Sequence, residues 1–467
     1  MTNNEWAEYP GQMIPKLEAE QVLEHGASMR QLMIDLFPLC RSITGNGLRS
    51  TLEILQSLIP LQIHEVPSGT SVLDWVIPQE WNVNDAYVRN SQGEKIIDFK
   101  KSNLHLLNYS VPARGFFSLS ELKEHLYSLP ESPAWIPYRT SYYTRNWGFC
   151  LSDDQLRSLP EDCYEVVVDT RLEDGHLSYG EYYLAGQSRD EVLISTHICH
   201  PSMANDNLSS LVISASLARA LTGMKLRYSY RFLFLPGTIG SITWLSRNQK
   251  QIEWIRHGLV LACLGDAGSF TYKKSRRGDA AIDRIAASQL EHLPEAGKSV
   301  NFSPYGYDER QYCSPGFNLP LGCLMRTPHG EFPEYHTSAD NLAFVTRENL
   351  QQSFALLYGV LRAIELNRNY LNLNPKGEPQ LGRRGLFPQD GTQDQEEIGR
   401  MKMALLWLLN LSDGQHSLLD IAERSGLSMD KLFDAATLLV RNGLMRDLSC
   451  SAPSSLQFEH NTRESLC

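Results

Sequence analysis

Four side chains with coordinating chemistry are grouped in two short stretches of the sequence. His197, His200 and Asp206 stand in Ser195-Thr-His-Ile-Cys-His-Pro-Ser-Met-Ala-Asn-Asp-Asn-Leu-Ser209. His336 stands far downstream in Glu334-Tyr-His-Thr-Ser-Ala-Asp-Asn341. Imidazole and carboxylate are the donors of a catalytic zinc site, where the ion acidifies water and polarises a carbonyl. A lone histidine at a strand end is more often a satisfied core residue. Here Asp206 follows within one loop and His336 completes a set, so ligation is the better reading. His-x-x-His can chelate, but its loop setting favours a supporting or substrate-facing role for His200. Asp206 between two asparagines also suits a helix cap.

The elements that must position these residues follow from apolar periodicity. Val192-Leu-Ile194 reads as a buried strand and Leu208 to Leu221 as a helix. His197 then ends a strand and Asp206 precedes a helix, in the crevice where open α/β sheets bind ligands. Tyr164–Val168, Val192–Ser195, Tyr230–Leu235, Leu259–Leu264 and Leu321–Met325 are the expected strands. With helices at Leu208–Leu221, Ile282–Leu290 and Arg347–Leu366, they predict an α/β fold, a mainly parallel mixed sheet sandwiched by helices. Residues 15 to 60 read as two amphipathic helices broken between Pro38 and Gly47.

From Ser71 to Pro137 the texture turns rich in Trp, Tyr and Asn, which reads as a small β-rich insertion. Asn374 to Gln395 reads as a linker. Beyond it, helices at Met401–Leu411, Ser417–Arg424 and Ser428–Asn442 are followed by β-like segments Leu444–Leu448 and Leu456–His460, which spell a winged helix. The expected domains are therefore 1–70 with 138–385, an insertion at 71–137, and a winged helix at 396–467. The third helix carries Asp430 and Asp434 against Lys431 and Arg441. Reading DNA needs clustered cations, so a packing or assembly role is favoured.

The motifs resemble those of the co-catalytic di-zinc aminopeptidases over residues 160 to 370. In that family an early His, the Asp of an Asn-Asp-Asn turn, a Glu-Glu pair, a later Asp and a final His form the site. A closer resemblance, to bacterial aminopeptidase-like proteins with an inserted domain and a C-terminal winged helix, covers almost the whole chain. It rests on Leu36-Phe-Pro-Leu-Cys-Arg-Ser-Ile-Thr-Gly45, Asp74-Trp-Val-Ile-Pro-Gln-Glu-Trp81, Trp147-Gly-Phe-Cys150, Asp308-Glu-Arg-Gln-Tyr-Cys313 and Tyr335-His-Thr-Ser-Ala-Asp340. The resemblance implies one or two zinc ions held by His197, Asp206, Asp266 and His336, with Asp340 as a partner for an imidazole N–H. It places His200, Asp308, Arg310 and Tyr312 against a small aminoacyl or peptidyl substrate, in a polysaccharide or secondary-metabolite setting. One position departs from the pattern. Pro236-Gly-Thr-Ile-Gly-Ser241 has Gly237 where that group has Glu. A glycine can neither ligate a metal nor take a proton. Glu334, Glu309 and Glu331 are the nearest substitutes in sequence, with Glu334 and Glu309 preferred as catalytic groups. The alternative is a metal-binding pseudo-enzyme or a scaffold without hydrolase activity.

Composition bounds the rest. The net charge of −11 over 467 residues argues against non-specific nucleic-acid binding. No apolar run reaches the ~18 residues of a membrane span. The first residues lack the basic and apolar regions of a signal peptide. Nine cysteines without short paired spacing suit reduced thiols, so a cytoplasmic location is expected. Neither nucleic acid nor membrane is an expected partner, and a homo-oligomer stays open.

Overall fold

A computed structural model describes residues 14–386 and 395–449. The chain divides into two compact units, one ending at Leu361 and one beginning at Arg362. The first is built on an eight-stranded sheet. Across it run Gln62–Pro67, His176–Leu184, Ser229–Leu235, Glu191–His197, Ile255–Leu261, Leu321–Met325, Thr271–Lys273 and Lys298–Val300. The four central strands, from Ser229–Leu235 to Leu321–Met325, are mutually parallel. They are almost entirely buried, as expected of strands covered on both faces. Glu191–His197 lies between Ser229–Leu235 and Ile255–Leu261, so the chain leaves it first to one side and then to the other. That is a switch point, where a crevice opens outside the strand C-termini.

The helix Ser210–Leu221 is buried around nearly its whole circumference and runs through the core. Ala19–Leu36 buries only the stripe Gly26, Met29, Met33 and Leu36. Gly26 permits a close approach: a Cβ there would lie 2.3 Å from the Gln351 side chain.

A second, four-stranded antiparallel sheet has the order Lys95–Asp98, Glu80–Arg89, Cys163–Glu173, Ala113–Ser118. This corrects one strand assignment. Tyr164–Val168 was expected in the main sheet, but it lies here, paired with Ala86–Arg89 and Ala113–Phe117. Its three consecutive buried valines, Val166 to Val168, fit either sheet, and only long-range pairing decides between them. The structure gives the place in the main sheet to His176–Leu184, which the apolar pattern did not single out.

A polar joint ties the two sheets together. Glu80 accepts from Arg49 Nη1 at 3.0 Å, from His176 N–H at 3.0 Å and from Asn82 Nδ2 at 2.9 Å. Burial alone would raise the Glu80 carboxyl. Arg49 and the two amide donors outweigh it and bring it from 4.5 down to about 2. A carboxyl depressed in the folded state stabilises above its unfolded value and loses that stabilisation as pH falls toward the folded one. The melting temperature of Glu80→Gln should therefore lie below wild type at pH 7, and the gap should close between pH 4.5 and about 2. A gap independent of pH would contradict this account.

The second unit contains helices Gln395–Leu411, Leu418–Ser425 and Met429–Arg441. Ser417 and Asp420 form a capping box, Gly426 ends the second helix with φ +70°, and Ser428 caps the third. Its three-stranded sheet sets Asn369–Asn372 between Asp413–Ser417 and Met445–Asp447. Asn369–Asn372 immediately precedes the expected linker and was not foreseen as a strand. The expected segment Leu456–His460 lies outside the described residues. Asp430 pairs with Arg362 and Lys431 with Glu397, so two of the four charges of the third helix are engaged within the unit. Among the described residues no helix is long and apolar enough to cross a membrane.

Candidate metal centre

Asp206 is the hinge of the site. The turn Ala204–Ser209 carries it, and the two flanking asparagines rivet that turn to the end of strand Ile255–Leu261. Asn205 Oδ1 accepts from Gly265 and Asp266 N–H, at 2.7 and 3.1 Å. Asn207 Oδ1 accepts from Cys263 N–H at 3.0 Å, and its Nδ2 donates to Leu261 O at 3.1 Å. Asp206 is left pointing at the histidines, fully buried. Oδ1 meets His197 Nε2 at 2.8 Å and Oδ2 meets His336 Nε2 at 3.0 Å. Both oxygens face imidazoles, so Asp206 is not a helix cap. Asn207 Nδ2 also lies 3.1 Å from His197 Nδ1. Its amide orientation is fixed by its other bonds, so Nδ1 accepts and Nε2 carries the ring proton toward Asp206. Metal ligation through Nε2 would move that proton to Nδ1, because a neutral imidazole coordinates through its unprotonated nitrogen.

His200 joins this group. The ligand atoms of His197, His200 and Asp206 all lie within 4.8 Å of one another. Arg41 holds the loop by donating from Nε to His200 O at 3.0 Å. Burial brings the His200 imidazole down to about 3, which keeps a lone pair free on the neutral ring. Burial works the other way on Asp206, yet His200, His197 and His336 hold its carboxyl well below 3.8. Three imidazoles around one buried, ionised carboxylate are a donor set that suits zinc. His200 was expected in a supporting or substrate-facing role; the structure brings it within the ligand group.

The loops around this cluster hold strained backbone. Ser202, Thr238, Cys263 and His336 have φ of 47°, 58°, 47° and 56°. Each costs on the order of 1–3 kcal/mol, and such residues concentrate at ligand clamps.

Several expected site residues are placed elsewhere. Asp266 is not brought into the cluster. Its Oδ1 accepts from Thr327 Oγ1 and Gly268 N–H, both at 2.7 Å, and Oδ2 from Asn205 Nδ2 at 3.1 Å, so it braces the Asn-Asp-Asn turn from behind. Asp340 binds no imidazole; it accepts from the N–H groups of Asn205 and Asp206. Glu309 is fully buried and ion-paired with Lys273. Tyr312 is a core residue, with its hydroxyl 2.8 Å from Ser195 Oγ and its ring against Trp244. The Glu334 side chain makes no hydrogen bond among the described residues; only its carbonyl is used, by Thr337. Glu331 is exposed.

A cavity of about 730 Å³ opens over His197 and His200. Gly237, Asp308, Arg310 and Gln311 line it, with an aromatic wall of Trp75, Tyr142, Tyr143, Tyr307 and Tyr335. Tyr307 stacks on His197 and Tyr335 on His336. Trp75 and Tyr143 meet edge to face at the rim and stay 42% and 52% exposed. Sequence reasoning missed this wall, although Trp75 and Tyr335 stand inside the quoted motifs.

Gly237 faces the cluster. A Cβ there would lie 3.4 Å from His197 Cβ and 3.5 Å from Cys199 Sγ, ordinary contact distances. Its φ is not in the left-handed region, so the turn does not demand glycine. Asp308 sits over the same turn. Its Oδ1 accepts from Thr238 N–H at 3.0 Å and Ser241 Oγ at 3.1 Å, and burial raises its carboxyl above 3.8.

Comparison with known proteins places this geometry. Residues 30–367 match a family profile described as a domain of unknown function, DUF4910, and residues 368–447 match a winged helix-turn-helix profile. The chain belongs to the DUF4910 family. A Clostridium acetobutylicum member is 51% identical over 91% of this chain and 97% of its own. Its provisional name is a polysaccharide biosynthesis protein with an aminopeptidase-like domain. A crystal structure from that organism, provisionally named a peptidase, is 50% identical with a TM-score of 0.87, covering 92% of this chain and 98% of that one. BSAP, a zinc aminopeptidase from Bacillus subtilis, has a TM-score of 0.53 at 13% identity, covering 73% of this chain and 94% of that one. This DUF4910 chain thus has the zinc-aminopeptidase fold with a C-terminal winged helix.

Proposed function

We propose that the chain is a zinc-dependent aminopeptidase-like amide hydrolase. Its substrate is a small aminoacyl or peptidyl amide, and polysaccharide biosynthesis is its setting, following the name of the Clostridium relative. One observation carries the reading: a buried carboxylate presents one oxygen to His197 and the other to His336, with His200 in ligand reach. His197, His200, Asp206 and His336 would hold the metal. Zinc in such a donor set acidifies water and polarises the scissile carbonyl. Arg310 and Gln311 line the cavity and would hold the polar end of the substrate, while the tyrosine wall excludes water.

Gly237 favours a second reading, a metal-binding protein that has lost hydrolysis. Zinc analysis of the purified protein, joined to assays on aminoacyl p-nitroanilides, separates the two. Bound zinc with turnover supports the hydrolase. Bound zinc without turnover supports the pseudo-enzyme. Absence of both refutes either reading.

We also propose that the winged helix is a packing or assembly module, because Asp430 and Lys431 are spent on pairs within its unit. The full-length protein should show no salt-sensitive binding to duplex DNA in a mobility-shift titration. Binding that weakens steeply between ~50 and ~200 mM salt would overturn this.

A further inference from the structure

We infer that Asp308 is the general base and acid of the hydrolysis, acting in place of the carboxylate missing at Gly237. The inference rests on the hydrolase reading above. Asp308 is the only carboxylate among the described residues that line the cavity over His197 and His200. It is anchored on the turn that lacks the glutamate, since Oδ1 accepts from Thr238 N–H, one residue past Gly237. Its other oxygen is free. Oδ2 accepts no hydrogen bond among the described residues, and it is not among the atoms sealed from solvent without a partner. One oxygen thus fixes the carboxylate, and the other is left without a hydrogen-bond partner among the described residues in a side chain that lines the cavity. The other candidates fail on position: Glu309 is buried on Lys273, Glu331 is exposed, and Glu334 lies off the cavity lining.

The chemistry balances without a further reactant. A water oxygen adds to the amide carbon, its proton passes to Asp308 Oδ2, and the carbonyl π pair moves onto the carbonyl oxygen. When the carbonyl re-forms, the C–N bond breaks with its pair on nitrogen. The nitrogen takes the proton back from Asp308, giving acid and amine.

A structural role is the competing explanation, because Oδ1 also anchors the start of helix Ile239–Arg247. Asp308→Asn separates the two. An amide oxygen can still accept from Thr238 and Ser241, but the group no longer takes a proton. On aminoacyl p-nitroanilides, kcat should fall by about 10²–10⁴-fold while zinc content and melting temperature stay at wild-type values. Adding Gly237→Glu to Asp308→Asn should recover at least about tenfold, since a carboxylate then enters from the neighbouring residue. Wild-type turnover in Asp308→Asn overturns the inference alone. So does a loss of activity that tracks a loss of zinc or melting temperature without rescue. An inactive zinc-loaded wild type overturns the hydrolase reading as well.

Discussion

Asp206→Asn should strip the protein of its metal and of any hydrolysis that depends on it. The residue is fully buried and both its oxygens are committed, one to His197 and one to His336. An asparagine brings no negative charge, and its NH₂ presents donors to a ring nitrogen that must coordinate. Loss of a partner behind a metal ligand costs about 10–100-fold in affinity, and loss of a shared ligand should cost at least that. Zinc per chain after dialysis should drop toward zero. A chelator should then lower the melting temperature of wild type and leave that of the variant unmoved, because only a protein that binds the ion is stabilised by it. A variant that keeps stoichiometric zinc would show that Asp206 is no ligand and that the cluster is a buried polar network.

Gly237→Glu should act in the opposite direction. The new side chain starts within van der Waals distance of His197 and Cys199 and points into the cavity, at a position whose φ suits any residue. A carboxylate there adds an anionic oxygen to a site that already presents three imidazoles and one carboxylate. Zinc affinity should rise by at least about 10–100-fold, read as retention against graded chelator. Unchanged affinity in a variant with wild-type melting temperature would mean that this turn does not reach the metal. The glycine would then be a feature of the substrate pocket.

The architecture was legible in the sequence wherever a run of residues had a single environment. Val192–Ile194 is buried throughout and Ser210–Leu221 everywhere but at Arg219 and Ala220, so composition alone announces them. Tyr164–Val168 could serve in either sheet, and no local pattern tells one antiparallel partner from another. His197, Asp206 and His336 were legible because loop chemistry marks them, an Asn-Asp-Asn turn and a His-Thr turn each following an apolar strand. Asp266 and Glu309 were misplaced for a shared reason. Order along the chain says that a carboxylate arrives near the site, but not which way it turns. Asp266 turns back to brace Asn205, and Glu309 turns inward to Lys273. Asp308, one residue before Glu309, lines the cavity. In a tight turn, one residue separates a core ion pair from the reactive space.

The reach of Arg41 sets how far this protein can be dissected. Every proposed metal donor falls between residues 197 and 336, yet the His200 loop hangs from a guanidinium that precedes the first strand of the sheet. Ser42, from the same segment, bonds Asn108 of the insertion, and Thr44 receives Trp81 N–H. A fragment cut to the motif-bearing stretch would keep all its donors and lose the strap that sets one of them. Recombination between relatives faces the same constraint. The head of the chain and the histidine loop must be inherited together, although some 150 residues of unrelated texture lie between them.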